Sequence, residues 1–140
     1  MPQIIVCSPY IRSGTRKLRP PGELHRRGFL LAIDDFGTGY ASLNLLGQLA
    51  ADILKIDRSL LAGFEYSPRS KTILRKVVEM AQDTEMVSIC EGVETREQAD
   101  YLLELGCDEA QGYFYYRPMP AEQFETTILR RRQAGELLKN

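Results

Sequence analysis

The 140 residues predict an α/β fold, a parallel sheet with helices packed outside it. Short apolar runs at 29–33, 51–56 and 86–90 have the length of buried strands and are too short for helices. Segments with apolar residues at helical spacing alternate with them, the clearest being Ile73, Leu74, Val77, Val78 and Ala81. A weaker strand signal at 108–111 completes four successive strand–helix units, the order that gives parallel pairing.

Taken in order, residues 1–22 stand apart as a divergent N-terminal arm, and 23–140 form the regular domain. Residues 1–7 have the composition of a short strand, but Pro9, Gly14, Pro20 and Pro21 break up the remainder of the arm, and Arg12, Arg16, Lys17 and Arg19 keep it polar. Residues 23–27 read as the tail of a helix that Gly28 ends. The strand at 29–33 comes next and stops at Asp34-Asp35. Gly37-Thr38-Gly39 then frees the backbone to turn, and Ser42 stands where a helix can be capped. That helix covers about 41–49, with Leu43, Leu45, Leu46 and Leu49 as its apolar face. The strand at 51–56 ends at Lys55-Ile56-Asp57. A turn-rich link at 58–67 leads to a helix over 68–84, where Pro68 suits the first turn. The strand at 86–90 ends at Glu91-Gly92-Val93-Glu94. Thr95 and Gln98 make a capping box for a helix over 96–105, which Gly106 stops. After the strand at 108–111, residues 113–120 form a loop and 121–138 a final amphipathic helix.

Composition excludes several function classes. The net charge of −1 offers no basic balance for nucleic acid or membrane, and the Arg130-Arg131-Arg132 run reads as the solvated end of a helix. Cys7, Cys90 and Cys107 are odd in number and scattered, the pattern of reduced thiols in a cytoplasmic protein. His25 is the only histidine, which rules out a poly-histidine metal site, and beside Arg26 and Arg27 it reads as a solvated helix position. No apolar run is long enough to span a membrane, and no basic segment precedes the first apolar one.

The polar residues at the strand ends carry the functional reading. Two adjacent acids at the end of a buried strand repel one another and lose hydration unless something cationic sits beside them. Oxygen-rich positions of this kind suit Mg²⁺ or Mn²⁺. An isolated Asp-Asp pair would read first as a polar strand end that caps the next helix. Here, however, Asp34 and Asp35 end the first strand, Lys55 the second, Glu91 the third and Gln111 the fourth. In parallel strand–helix folds, and in barrels above all, the active site lies at the carboxyl ends of the strands.

IDDFGTGYASL, LKIDRSL, EGVETREQ and QGYFYYRPMP, in this order and spacing, resemble the second half of the EAL domain, over about residues 28–124. The resemblance implies a modified (β/α)₈ barrel, so that this chain is a partial TIM-like barrel of about four parallel βα units. It also implies a bacterial signalling hydrolase that converts cyclic di-GMP to linear pGpG with two Mg²⁺ or Mn²⁺ ions. Such paired ions activate a bridging water and stabilise the leaving oxygen. By the same resemblance Asp34 bridges the metals, Asp35 binds the second, Lys55 holds the attacking water, and Glu91 binds the second metal directly or through water. Gln111 orients water, and Glu94 ties down the 36–40 loop. Pro118, Met119 and Pro120 either line the guanine pocket or form a packed rim loop.

The departures are substantial. The tripeptide Glu-Ala-Leu does not occur, nor do the family's metal-binding Asn and the Glu of the preceding strand; where that strand falls, this chain has residues 4–8, ending Cys7-Ser8. Met1 is consistent with a start at this point. The expectation is a phosphodiesterase in its complete form and a chain that is inactive alone. The alternative is a non-catalytic relative acting as a protein- or nucleotide-binding signalling module. A half-barrel also leaves strand edges and an apolar inner face uncovered. Residues 4–8 adding as a strand beside 29–33, a homodimer, or the missing N-terminal half of the barrel would each relieve this.

Overall fold

A computed structural model describes residues 3–7, 21–38 and 43–129. One five-stranded sheet holds β1 (Gln3–Cys7), β2 (Phe29–Phe36), β3 (Ile53–Ile56), β4 (Val87–Cys90) and β5 (Glu109–Ala110). The strands lie side by side in chain order and every pair is parallel, as in an arc cut from a barrel. The helices are α1 (Pro21–Arg26), α2 (Leu43–Gln48), α3 (Pro68–Asp83), α4 (Arg96–Leu105) and α5 (Ala121–Phe124), with a 3₁₀ turn at Arg58–Leu60 and a π turn at Glu125–Leu129.

The two faces of the sheet bury different amounts. On the outer face Ile33, Leu54, Ile56 and Cys90 pack with Leu74, Val78 and Ala81 of α3 and Leu102 of α4 in one large core. Burying each large aliphatic side chain there contributes about 1.5–3 kcal/mol. The inner face holds a small cluster of Ala32, Ile53 and Ile89, with Leu30 partly buried against it.

Local chemistry sets the helix ends. Ser67 caps α3, accepting from Ser70 N at 3.3 Å, and Pro68 occupies its first turn. Thr95 and Gln98 form the expected capping box of α4, and Gly106 closes it at φ 73°.

One expectation holds: residues 3–7 of the arm add as a strand, β1, beside β2, with Gln3 opposite Phe29 and Cys7 opposite Ile33. Several others change. β2 does not stop before the two acids but continues to Phe36. Its register against β3 slips between Ile33 and Phe36, an inserted-residue bulge that takes up the acids. Leu43 is 69% exposed and lies off the apolar face expected of α2, whereas Leu46 packs on the core. His25 is not merely solvated, because its Nε2 lies 2.8 Å from Asp52 Oδ2. The inner face is not left bare either: Ala32, Ile53 and Ile89 are all buried. Ser42, the Arg130 to Arg132 run and the end of the final helix lie outside the described residues.

Candidate active-site rim

The carboxyl ends of β2 to β5 form one rim, and backbone bonds beyond the strands hold it in place. Asp57 N donates to Phe36 O at 3.0 Å, Glu91 N to Ile56 O at 2.9 Å and Gln111 N to Cys90 O at 2.8 Å. Alternation along each strand does the rest. Lys55 lies two residues beyond Ile53, Glu91 two beyond Ile89 and Asp34 two beyond Ala32, so all three share the inner face.

At that face the Lys55 ammonium donates to Asp34 Oδ1 at 2.9 Å and pairs with Glu91 Oε1 at 2.6 Å. The three side chains are 22–29% exposed, so this is a half-buried bridge. Burial works against the Lys55 charge, but the hydrogen bonds to Glu91 and Asp34 prevail and hold its pKa above the ordinary lysine value. Asp34 also accepts from Asp35 N at 3.0 Å, which locks the bulge.

Asp35 differs from both. Its backbone has φ 55°, a left-handed conformation that Asp tolerates better than most residues. Among the described residues its carboxylate has no hydrogen-bonding partner. Burial, then the neighbouring Asp34, Asp57 and Glu91, push its pKa above the usual carboxylate value. Its carbonyl takes both the amide and the hydroxyl of Thr38, which fold the chain back after the bulge.

A cavity of about 770 Å³ opens beside this cluster. Glu91, Glu94 and Gln111 line it, as do Pro118 and Met119; Pro120 does not, and instead precedes α5. Two glycines shape its wall. A Cβ on Gly112 would collide with the backbone of Val93, and one on Gly92, at φ 76°, would collide with the Arg58 side chain. Glu94 and Thr38 line a second, smaller cavity with Arg58, and Glu94 N itself donates to Gln98 Oε1 at 2.8 Å.

The rim therefore brings together Asp34, Lys55 and Glu91, with Gln111 lining the same cavity as Glu91. The sequence reading missed Asp57 and Arg58, which line both cavities, and Arg117, which lies over the Tyr113 ring. The signal for the first two was their position directly after Lys55-Ile56. Among the described residues, no three His, Cys, Asp or Glu side chains gather closely enough to hold a metal ion. Asp34 and Glu91 are instead turned onto Lys55.

Comparison with known proteins gives a consistent result. A family model described as the EAL domain matches residues 13–118. A probable cyclic di-GMP phosphodiesterase, PdeG of Escherichia coli strain K12, is 43% identical over 96 residues, which are 69% of this chain and 19% of that protein. The PaMucR phosphodiesterase in its c-di-GMP complex superposes with a TM-score of 0.72 at 36% identity, covering 86% of this chain and 49% of that one. A calcium and cyclic di-GMP complex of BlrP1 from Klebsiella pneumoniae gives 0.64 at 36% identity, covering 69% of this chain and 25% of that one. The chain thus spans less than half the length of each of these proteins.

Proposed function

The chain belongs to the EAL domain family, and from that premise we propose that its residues are the rim-bearing part of a cyclic di-GMP phosphodiesterase. The observation that carries the reading is the Asp34–Lys55–Glu91 bridge, in which three separate strands deliver one bonded cluster beside a cavity. In the complete domain Lys55 places positive charge where the phosphate's charge develops, and Gln111 orients water. Arg58 and Arg117 offset the acids around the cavity and attract an anionic dinucleotide, while Tyr113 and Tyr116 offer flat surfaces to its bases. Pro118 and Met119 complete that wall, and Glu94 steadies the turn at Thr38.

Mg²⁺ or Mn²⁺ serves the complete domain, to which Asp34, Asp35 and Glu91 contribute only part of the donor set. These 140 residues alone are inactive. The barrel strands that complete them pair along both outer strands of the sheet, β1 and the two-residue β5. A second copy is the weaker choice, because the inner apolar cluster is already covered. No helix among the described residues is long and apolar enough to cross a membrane, and the cytoplasm is the proposed compartment.

The test is a chimera. Residues 13–129 replace the corresponding half of an active EAL phosphodiesterase, and hydrolysis of cyclic di-GMP is followed. Activity lost on Asp34→Ala supports the reading, whereas a folded chimera without activity counts against it.

A further inference from the structure

The Asp34–Lys55–Glu91 bridge has the geometry of a cation site already filled from within. Asp34 Oδ1 and Glu91 Oε1 converge on one point, 2.9 and 2.6 Å from the Lys55 nitrogen. Mg²⁺ takes carboxylate oxygens at about 2.0–2.1 Å, so a contraction of about 0.5–0.9 Å would gather the same two oxygens around a metal. An ammonium and a metal cannot share that point, since their charges repel at close range. The ammonium reaches it on a tether, with its stem fixed to β3, whereas a metal must come from solution and lose part of its hydration. Asp35, whose carboxylate among the described residues has no hydrogen-bonding partner, stands next to this point without closing on it.

We propose that Lys55 is a built-in counter-cation that closes this rim to divalent metal, so that a third or fourth carboxylate is needed to draw the ammonium aside. Lys55 then does more than assist the chemistry. It keeps an incomplete set of ligands idle and neutralised, and admits metal only when the rest of the donor set arrives. The inference rests on the phosphodiesterase reading for its meaning, but its geometry does not depend on that reading.

Mn²⁺ is titrated into the 140-residue chain and the free ion is read from its electron paramagnetic resonance signal, so that hydrolysis plays no part. Lys55→Met, similar in length and uncharged, should bind Mn²⁺ about tenfold or more tightly than the parent chain. Lys55→Arg, which keeps the charge, should stay at the parent value, and adding Glu91→Gln to Lys55→Met should remove the gain. If Lys55→Met is unfolded without metal, circular dichroism should show Mn²⁺ restoring its structure. Equal affinity in the parent and Lys55→Met chains, or an unfolded Lys55→Met that Mn²⁺ does not restore, would overturn the proposal. Either result would leave the cyclic di-GMP reading to be judged by the chimera.

Discussion

At the amino ends of the strands, Asp108 Oδ2 accepts from both the amide and the hydroxyl of the buried Ser88, each at 2.8 Å. Asp52 there accepts from Leu31 N at 2.7 Å and binds His25. At the carboxyl ends, Asp34 and Glu91 share a single ammonium, and among the described residues the Asp35 carboxylate has no hydrogen-bonding partner. The titration of the acids follows this difference. Donated hydrogen bonds from Ser88 hold Asp108 below the usual aspartate value, while burial and like charges push Asp35 above it. Acids at the foot of the sheet tie neighbouring strands together. Those at the rim are held close to one another at a cost, the arrangement expected where a cation or a reacting group is to be received.

The contrast between foot and rim breaks most sharply through the backbone that supports the rim. Gly112 lies against Val93, whose amide donates to Gln111 O at 2.9 Å and whose carbonyl accepts from Phe114 N at 3.0 Å. Gly112→Ala must separate these two segments and should destabilise the chain by about 3 kcal/mol or more in urea melts. At the foot, Asp108→Ala leaves the buried Ser88 hydroxyl and amide without their acceptor, and a loss of about 2 kcal/mol is expected. Asp35→Asn at the rim should do the opposite, raising stability by about 0.5 kcal/mol, because it removes a repelled charge and Asn tolerates the same backbone.

The two acids should also differ in sign with pH. The folded-state pKa of Asp108 is lowered, so its contribution is present above 3.8 and is lost as pH falls through that lower value. The pKa of Asp35 is raised, so its favourable contribution is present below 3.8 and is lost as pH rises through the folded value. The advantage of Asp35→Asn should therefore vanish in acid, and so should the penalty of Asp108→Asn. Thermal melts from pH 3 to 7 separate these cases, and parallel curves for the two variants would remove the contrast between foot and rim.

Much of this was legible in the sequence where cause and effect are close along the chain. The Thr95 and Gln98 box, the Gly106 stop and the Pro68 start each depend on a few adjacent residues. The gathering of Asp34, Lys55 and Glu91 was legible as well, because parallel strands carry their ends to one side. What escaped depends on distant partners. The bulge at Asp34-Asp35 exists only in register against β3, and an apolar run followed by two acids looks like a strand that stops. The Asp52 partner of His25 is 27 residues away and carries no periodic signal. Leu43 fits a helical stripe by spacing, but α2 is only six residues long and does not turn it inward.

If these residues hold one part of an active site and chemistry waits for the rest, the 140-residue chain should not turn over cyclic di-GMP. The direct measurement is turnover of cyclic di-GMP by the 140-residue chain with Mg²⁺ or Mn²⁺ present, beside an Asp34→Ala control. Linear pGpG should form no faster with the parent chain than with the control. Clear production of pGpG that Asp34→Ala abolishes would contradict this expectation, and would mean that Asp34, Asp35, Lys55 and Glu91 suffice without the missing ligands.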